Sequence, residues 1–275
     1  MKLMRVGPVG REIPAGLDDH GRVCDLSPVL ADVDGALLGD LVALHRVRLA
    51  LSSRRLDAVP PATRIAAPLA RPGKIVGIGH NYGGERAERP VVFLKPASTM
   101  VGPYDVIEMP DGSSTTDYEV ELGVVVGSRL RRCRDRATAL RAVGGYVAVN
   151  DVTERTLAMD GPTWAKGKCC DTFTPAGPWL VTPDEIPDPQ GLTLRLLVNG
   201  QVRQQDSTRS MLFQVAEILC YLSTLMTLEP GDLVLTGTPG GVAAGMPEPK
   251  PFLRNGDVVE LEVSGLGSQR TPVRS

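Results

Sequence analysis

One stretch, Asp117-Tyr118-Glu119-Val120-Glu121-Leu122-Gly123-Val124-Val125-Val126-Gly127, constrains this chain more than any other. Its β-branched content, and the glycine that closes its apolar run, predict a strand. Side chains alternate across a strand, so Asp117, Glu119 and Glu121 share one face while Tyr118, Val120 and Leu122 share the other. The carboxylates then stand about 7 Å apart from each to the next. Leu122 to Val126 draw the strand inward, where such groups are costly unless a cation sits among them. An all-oxygen donor set suits a hard ion such as Mg2+, Mn2+ or Ca2+. A solvated edge strand with a polar face is the other reading of the same residues.

Bulk properties narrow the partners. A net charge of −2, from 30 basic and 32 acidic residues, gives no field of either sign, which argues against nucleic acid or an anionic membrane. The 30 glycines and 23 prolines, with 4% aromatics, fit a strand-and-turn protein better than a helical bundle. No window approaches about 18 uninterrupted apolar residues, and the start Met1-Lys2-Leu3-Met4-Arg5 lacks the apolar core of a signal peptide, so a cytoplasmic protein is expected. Five scattered cysteines without a CxxC pair read as reduced thiols.

The pattern divides into a small N-terminal β/α cap over residues 1–66 and a larger catalytic domain over 67–275, α+β in class and predominantly β. In the cap, Asp18-Asp19-His20-Gly21 marks a hairpin turn and a short helix is predicted near Leu38 to Leu51. Lys74 to Tyr82 predicts a buried strand ending in a polar loop. The connection Gly83 to Pro90 is short, charged and glycine-started, which predicts mobility. Lys95, at the end of the next strand, reads either as a solvated lysine or as a substrate contact. Gly144 to Asn150 predicts a second apolar strand. At its exit, Asp151 suits a further metal ligand, the N-cap of a helix over 152–159, or both. The apolar positions of Met211 to Met226 predict an amphipathic helix. Gly237-Thr238-Pro239-Gly240-Gly241 ends a strand in a loop whose amides can hold an anion.

Taken jointly, Lys74 to Tyr82, Asp117-x-Glu119-x-Glu121, Asn150 to Arg155, Lys166-Gly-Lys168 with Asp171, Gly177-Pro-Trp-Leu, and Thr227 to Asp232 with Thr236 to Pro239 resemble the fumarylacetoacetate hydrolase family. The resemblance implies a mixed β-sandwich roll, a homodimer, and Mg2+ or Mn2+ held by Glu119, Glu121 and Asp151. It puts Asp117 behind those ligands or near the substrate. Within the family, the sequence looks most like the 2,4-diketo-3-deoxy sugar-acid hydrolases and relatives labelled ureidoglycolate lyase. Family substrates are 2-oxo or 2,4-dioxo acids, and cleavage of an acylpyruvate C–C bond by hydrolysis is the default activity implied. Lys168 would bind or polarise the substrate, Arg155 would support ligands or substrate, and Thr238 with adjacent amides such as Gly237 would face the oxyanion. Tyr82 is a substrate-binding candidate.

The sequence departs from the family where the family places its water-activating histidine, on a lid in the pattern Asn-Tyr-x-x-His. Here that position carries Glu85 on a shortened connection, and a usual glutamine is Ala158. Glu85 or His80 would have to replace the histidine. Its loss weighs more on hydrolysis than on decarboxylation or keto–enol isomerisation, which therefore stand as alternatives, together with a catalytically silent metal-binding homologue.

Overall fold

A computed structural model describes all residues, 1–275. Its principal strands are β1 (Lys2–Val6), β2 (Ile13–Leu17), β3 (Val23–Asp25), β4 (Ile75–Gly79), β5 (Val91–Lys95), β6 (Val120–Val126), β7 (Val143–Asn150), β8 (Leu180–Val181), β9 (Thr193–Val198), β10 (Gln201–Ser207), β11 (Leu233–Leu235), β12 (Val258–Val263) and β13 (Gly267–Arg274). The helices are short: α1 (Leu41–Ser52), α2 (Arg136–Arg141), α3 (Arg155–Met159), α4 (Ala165–Lys168) and α5 (Val215–Leu225). A large mixed sheet runs β3-β2-β1-β8-β7-β6-β11-β4-β5, and a second sheet runs β10-β9-β12-β13, extended by Ile107–Glu108. No helix is long and apolar enough to cross a membrane.

The main core of 38 buried residues draws on both sheets and on Ile218, Leu219 and Leu222 of α5, the amphipathic helix expected from its spacing. Strands β6 and β7 are buried along their whole length, as their near-continuous apolar runs require. Residues 1–66 share their sheet with the rest of the chain. Strand β1 pairs antiparallel with β8, and the second core cluster mixes Leu3, Cys24 and Leu51 with Val125, Val147 and Leu235. All five cysteines are free thiols.

Two local expectations are corrected. The acidic strand does not run unbroken from Asp117: Thr116–Asp117 pairs separately with Thr153–Glu154, and β6 starts only at Val120. Asp151 caps no helix, because three residues separate it from α3, which begins at Arg155 behind Glu154. Its carboxylate is occupied by lysines instead. The 83–90 connection is mostly exposed, with one side chain anchored. Arg86 donates to the Leu212 carbonyl (2.7 Å) and to Glu217 (3.0 Å), and its guanidinium lies 4.3 Å from the Phe213 ring centroid.

Asn81 connects this connection to the strands beneath. Its amide donates to the carbonyls of Phe213 (3.0 Å) and Thr236 (2.7 Å), and its oxygen accepts from the Phe213 N–H (2.7 Å), all without solvent exposure. Asn81→Ala strands three buried backbone groups at once. Each costs about 1–3 kcal/mol when unpaired, so urea unfolding is expected to register a loss of about 3 kcal/mol; a loss within experimental error would show that the bonds are replaceable by water.

Candidate active site

Register builds the site. Strands β6 and β7 pair antiparallel with Val120 opposite Asn150, and the ladder continues past β6 through the Asp151 N–H bonding the Glu119 carbonyl (2.8 Å). Glu119 at the entry of β6 thus meets Asp151 at the exit of β7, while Glu121, two residues on, keeps the same face as Glu119. One carboxylate oxygen from each of Glu119, Glu121 and Asp151 lies within 4.8 Å of the others. All three residues are buried.

The surrounding cations are shared unevenly. Arg155 donates to Asp117 (2.8 Å) and Glu119 (2.6 Å). Lys168 donates to Glu119 (2.7 Å) and Asp151 (2.5 Å), and Lys95 donates to Asp151 (2.5 Å) and to the Phe173 carbonyl (2.8 Å). Glu121 receives no side-chain cation; its one donor is the Gly237 N–H at 2.7 Å. Burial, with the charges of Asp151 and Glu119 beside it, therefore pushes the Glu121 carboxyl well above its ordinary range. Burial opposes the charge of Asp151 too, but Lys168 and Lys95 overcome it and hold that carboxyl low. Burial likewise works against the Lys168 ammonium, and Asp151, Glu119 and Glu121 together hold it above the usual lysine value.

Four carboxyl groups (Asp117, Glu119, Glu121, Asp151) thus face three cations (Lys95, Arg155, Lys168), and Glu121 is the one left without a cation partner. Buried carboxylates without a partner are not sustained. A hard dication among Glu119, Glu121 and Asp151 fits both the oxygen donors and the missing charge.

The other anticipated residues take the following places. Asp117 is fully buried beside the cluster, accepting from the amides of Tyr118, Ala243 and Ala244 as well as from Arg155. Lys95 is 3% exposed, outside the cavity wall and bonded to three protein acceptors, so neither its reading as a solvated lysine nor that as a substrate contact holds. The amide of Gly237 is committed to Glu121, and the Thr238 hydroxyl donates to the Val120 carbonyl (2.9 Å) while accepting from Gln204 (2.7 Å). Neither group is therefore a free oxyanion donor. The backbone N–H groups of Thr238 and Gly240 have no acceptor within the protein, and both residues line the cavity.

Beside the cluster opens a cavity of about 760 Å³, walled by Tyr82, Arg155, Lys168 and Thr238 among others. The Tyr82 hydroxyl is buried without a hydrogen-bond partner, and burial with the nearby Glu121 and Asp206 charges makes it harder to ionise. His80, at a positive φ of 53°, is exposed on this wall, edge-on to the Trp164 indole with centroids 5.2 Å apart. Glu85 is exposed and is not part of the wall, which removes it as the stand-in for the family's histidine.

Sequence reasoning missed four contributors. Gln204 bridges Thr238, the Pro239 carbonyl and the Val120 N–H, so it sets the loop against β6. Phe93, Trp164 and Phe252 supply aromatic wall. Nothing local marks Gln204, whereas Gly77 and Gly79, alternating on β4, hint at rings packed over them.

The family model described as fumarylacetoacetate (FAA) hydrolase C-terminal matches residues 74–274. A Burkholderia ambifaria protein that carries hydrolase only as a provisional name is 47% identical over 283 residues, spanning 100% of this chain and 99% of its own. The fumarylacetoacetate hydrolase of Exiguobacterium antarcticum superposes with a TM-score of 0.88 at 32% identity, covering 100% of this chain and 99% of that one. Maleylpyruvate hydrolase from Sphingobium sp. SYK-6, solved with manganese(II) and pyruvate, superposes with a TM-score of 0.83 at 26% identity over 100% and 99% of the two chains. With its β-rich architecture, its acidic cluster and these matches along its whole length, the chain is an enzyme of the fumarylacetoacetate hydrolase family.

Proposed function

We propose that this enzyme cleaves the C–C bond between the two carbonyl-bearing arms of a 2,4-dioxo acid, with Mg2+ or Mn2+ held by Glu119, Glu121 and Asp151. The observation that carries the reading is the charge deficit at Glu121 on the floor of a cavity that a small organic acid can enter. The Sphingobium relative, with manganese(II) and pyruvate together, supports the same pairing of dication and 2-oxo acid. When bound, the dication would supply Lewis acidity to the 2-oxo group and so stabilise the enolate that leaves as the bond breaks.

The chain's own residues perform the rest. Lys168 keeps one ammonium between Glu119 and Asp151 and reaches the cavity, where it pairs with the substrate carboxylate. Arg155, locked onto Asp117 and Glu119, holds the Glu119 carboxylate in place. The free amides of Thr238 and Gly240 offer donors to an oxyanion at the acyl carbon, preorganised because the loop is pinned by Gln204. The Tyr82 hydroxyl has a proton to donate to a substrate oxygen. With the dication, the four carboxylates and three cations leave one positive charge, which draws in an anionic substrate.

A second reading, decarboxylation or keto–enol isomerisation of a related 2-oxo acid, is favoured by one observation: the position that carries a water-activating group in the family is the exposed Glu85, outside the cavity. These reactions do not need an activated water.

Pyruvate release from acetylpyruvate is expected to cease with EDTA and to return with Mg2+ or Mn2+; turnover that survives exhaustive chelation would exclude the metal-dependent mechanism. Lys168→Met is expected to lower kcat/KM about 10²–10³-fold, the scale of losing a preorganised charged donor, with bound metal per chain, measured by plasma emission, near the wild-type ratio. Glu85→Gln is expected to keep kcat within twofold of wild type; a hundredfold loss would restore Glu85 as the base. Simultaneous recording of CO2 and pyruvate separates the two readings, since hydrolysis yields pyruvate without CO2.

A further inference from the structure

The cavity extends beyond what a 2-oxo acid head occupies, and its outer wall is aromatic. Phe93 lies under Lys168, with the ammonium 4.8 Å from the ring centroid. The Trp164 indole follows, edge-on to Phe93 at 5.8 Å between centroids and to His80 at 5.2 Å. Lys168, Phe93, Trp164 and His80 thus form a continuous path from the acidic cluster outward.

Two glycines show that this wall is built. Gly77 and Gly79 alternate on one face of β4, and a Cβ at Gly77 would lie 2.1 Å from the Phe93 ring. A Cβ at Gly79 would lie 2.3 Å from the Trp164 indole. Any side chain at either position would push a ring off the sheet. Trp164 is also the residue immediately before α4, and its carbonyl accepts from the Lys168 N–H (3.2 Å). One turn of chain therefore carries both the head-group lysine and the distal indole, at a fixed separation.

We infer that the substrate is a 2,4-dioxo acid whose distal arm is an aryl group, seated against Phe93 and Trp164. This deepens the proposed function and rests on it for the head group. An aryl ring presents the flat faces and edges that such a wall accepts, and an aromatic pair contributes about 0.5–1.5 kcal/mol beyond its buried area. A methyl-terminated acylpyruvate would leave the cavity side of Trp164 uncovered. Lys250 also belongs to the wall and has no carboxylate partner in the protein, so a second anionic group on the substrate is the competing choice.

The test uses the Mg2+-loaded enzyme in two arms. In the first, kcat/KM is compared for benzoylpyruvate, acetylpyruvate and succinylpyruvate. Benzoylpyruvate is expected to lead by about tenfold, and the benzoyl-to-acetyl ratio is expected to fall at least fivefold in Trp164→Leu. A lead for acetylpyruvate or succinylpyruvate, or a ratio untouched by Trp164→Leu, overturns the inference. The second arm needs no turnover. The chain has two tryptophans, so in Trp179→Phe the emission comes from Trp164, and benzoylformate is expected to quench it at a concentration at least tenfold below pyruvate. Equal potency, or no quenching by benzoylformate, overturns the wall assignment. Failure of all three acylpyruvates in the first arm, with quenching intact in the second, removes the hydrolase reading and leaves the wall standing.

Discussion

The pairing of β6 with β7 is the constraint on which the rest depends. With Val120 opposite Asn150, Glu119 and Asp151 come side by side at the open end of the ladder, and Glu121 joins them from the same strand face. A slip of one residue would turn the β6 carboxylates to the other face and bury Val120 and Leu122 where the cavity now opens. The slip is prevented by burial on both sides of the sheet: every residue from Val120 to Val126 and from Val143 to Asn150 is buried. Catalytic geometry here is a by-product of a register that the hydrophobic core enforces.

Electrostatics then determine what the site holds. Arg155 and Lys168 satisfy Glu119 twice over, and Lys95 and Lys168 satisfy Asp151, yet Glu121 has only a backbone donor. The asymmetry matters because burying an unpaired carboxylate costs several kcal/mol, and the deficit is located at one identifiable atom. Of the three cations that neutralise the cluster, Lys168 and Arg155 also line the cavity, whereas Lys95 is sealed beneath it.

The glycine loop after β11 illustrates a division of labour that its composition did not reveal. Its glycines were expected to present donors to an oxyanion. One amide instead fastens Glu121, the Thr238 hydroxyl fastens Val120, and Gln204 braces the loop from the second sheet. The donors left over, on Thr238 and Gly240, are held by those commitments in fixed directions. Likewise Arg86, on the 83–90 connection, and Asn81, just before it, bond to residues at the start of α5.

Period-two alternation and apolar runs were enough for the sequence alone to yield β6, β7, the amphipathic α5 and the three carboxylates, because each of these is a local pattern. Their meeting was legible only with the family's order of motifs, since composition does not state which strand pairs with which. Tertiary structure decided what depends on distant partners. Lys95 became a buried ion-pair partner, Asp151 lost its role as a helix cap to two lysines, Asp117 turned aside to Arg155 and the 243–244 amides, and Glu85 fell outside the cavity. For Lys95, Asp151 and Asp117 the outcome is set by which opposite charge or backbone donor arrives within about 3 Å, and those arrivals come from residues distant in sequence, beyond the reach of any local pattern.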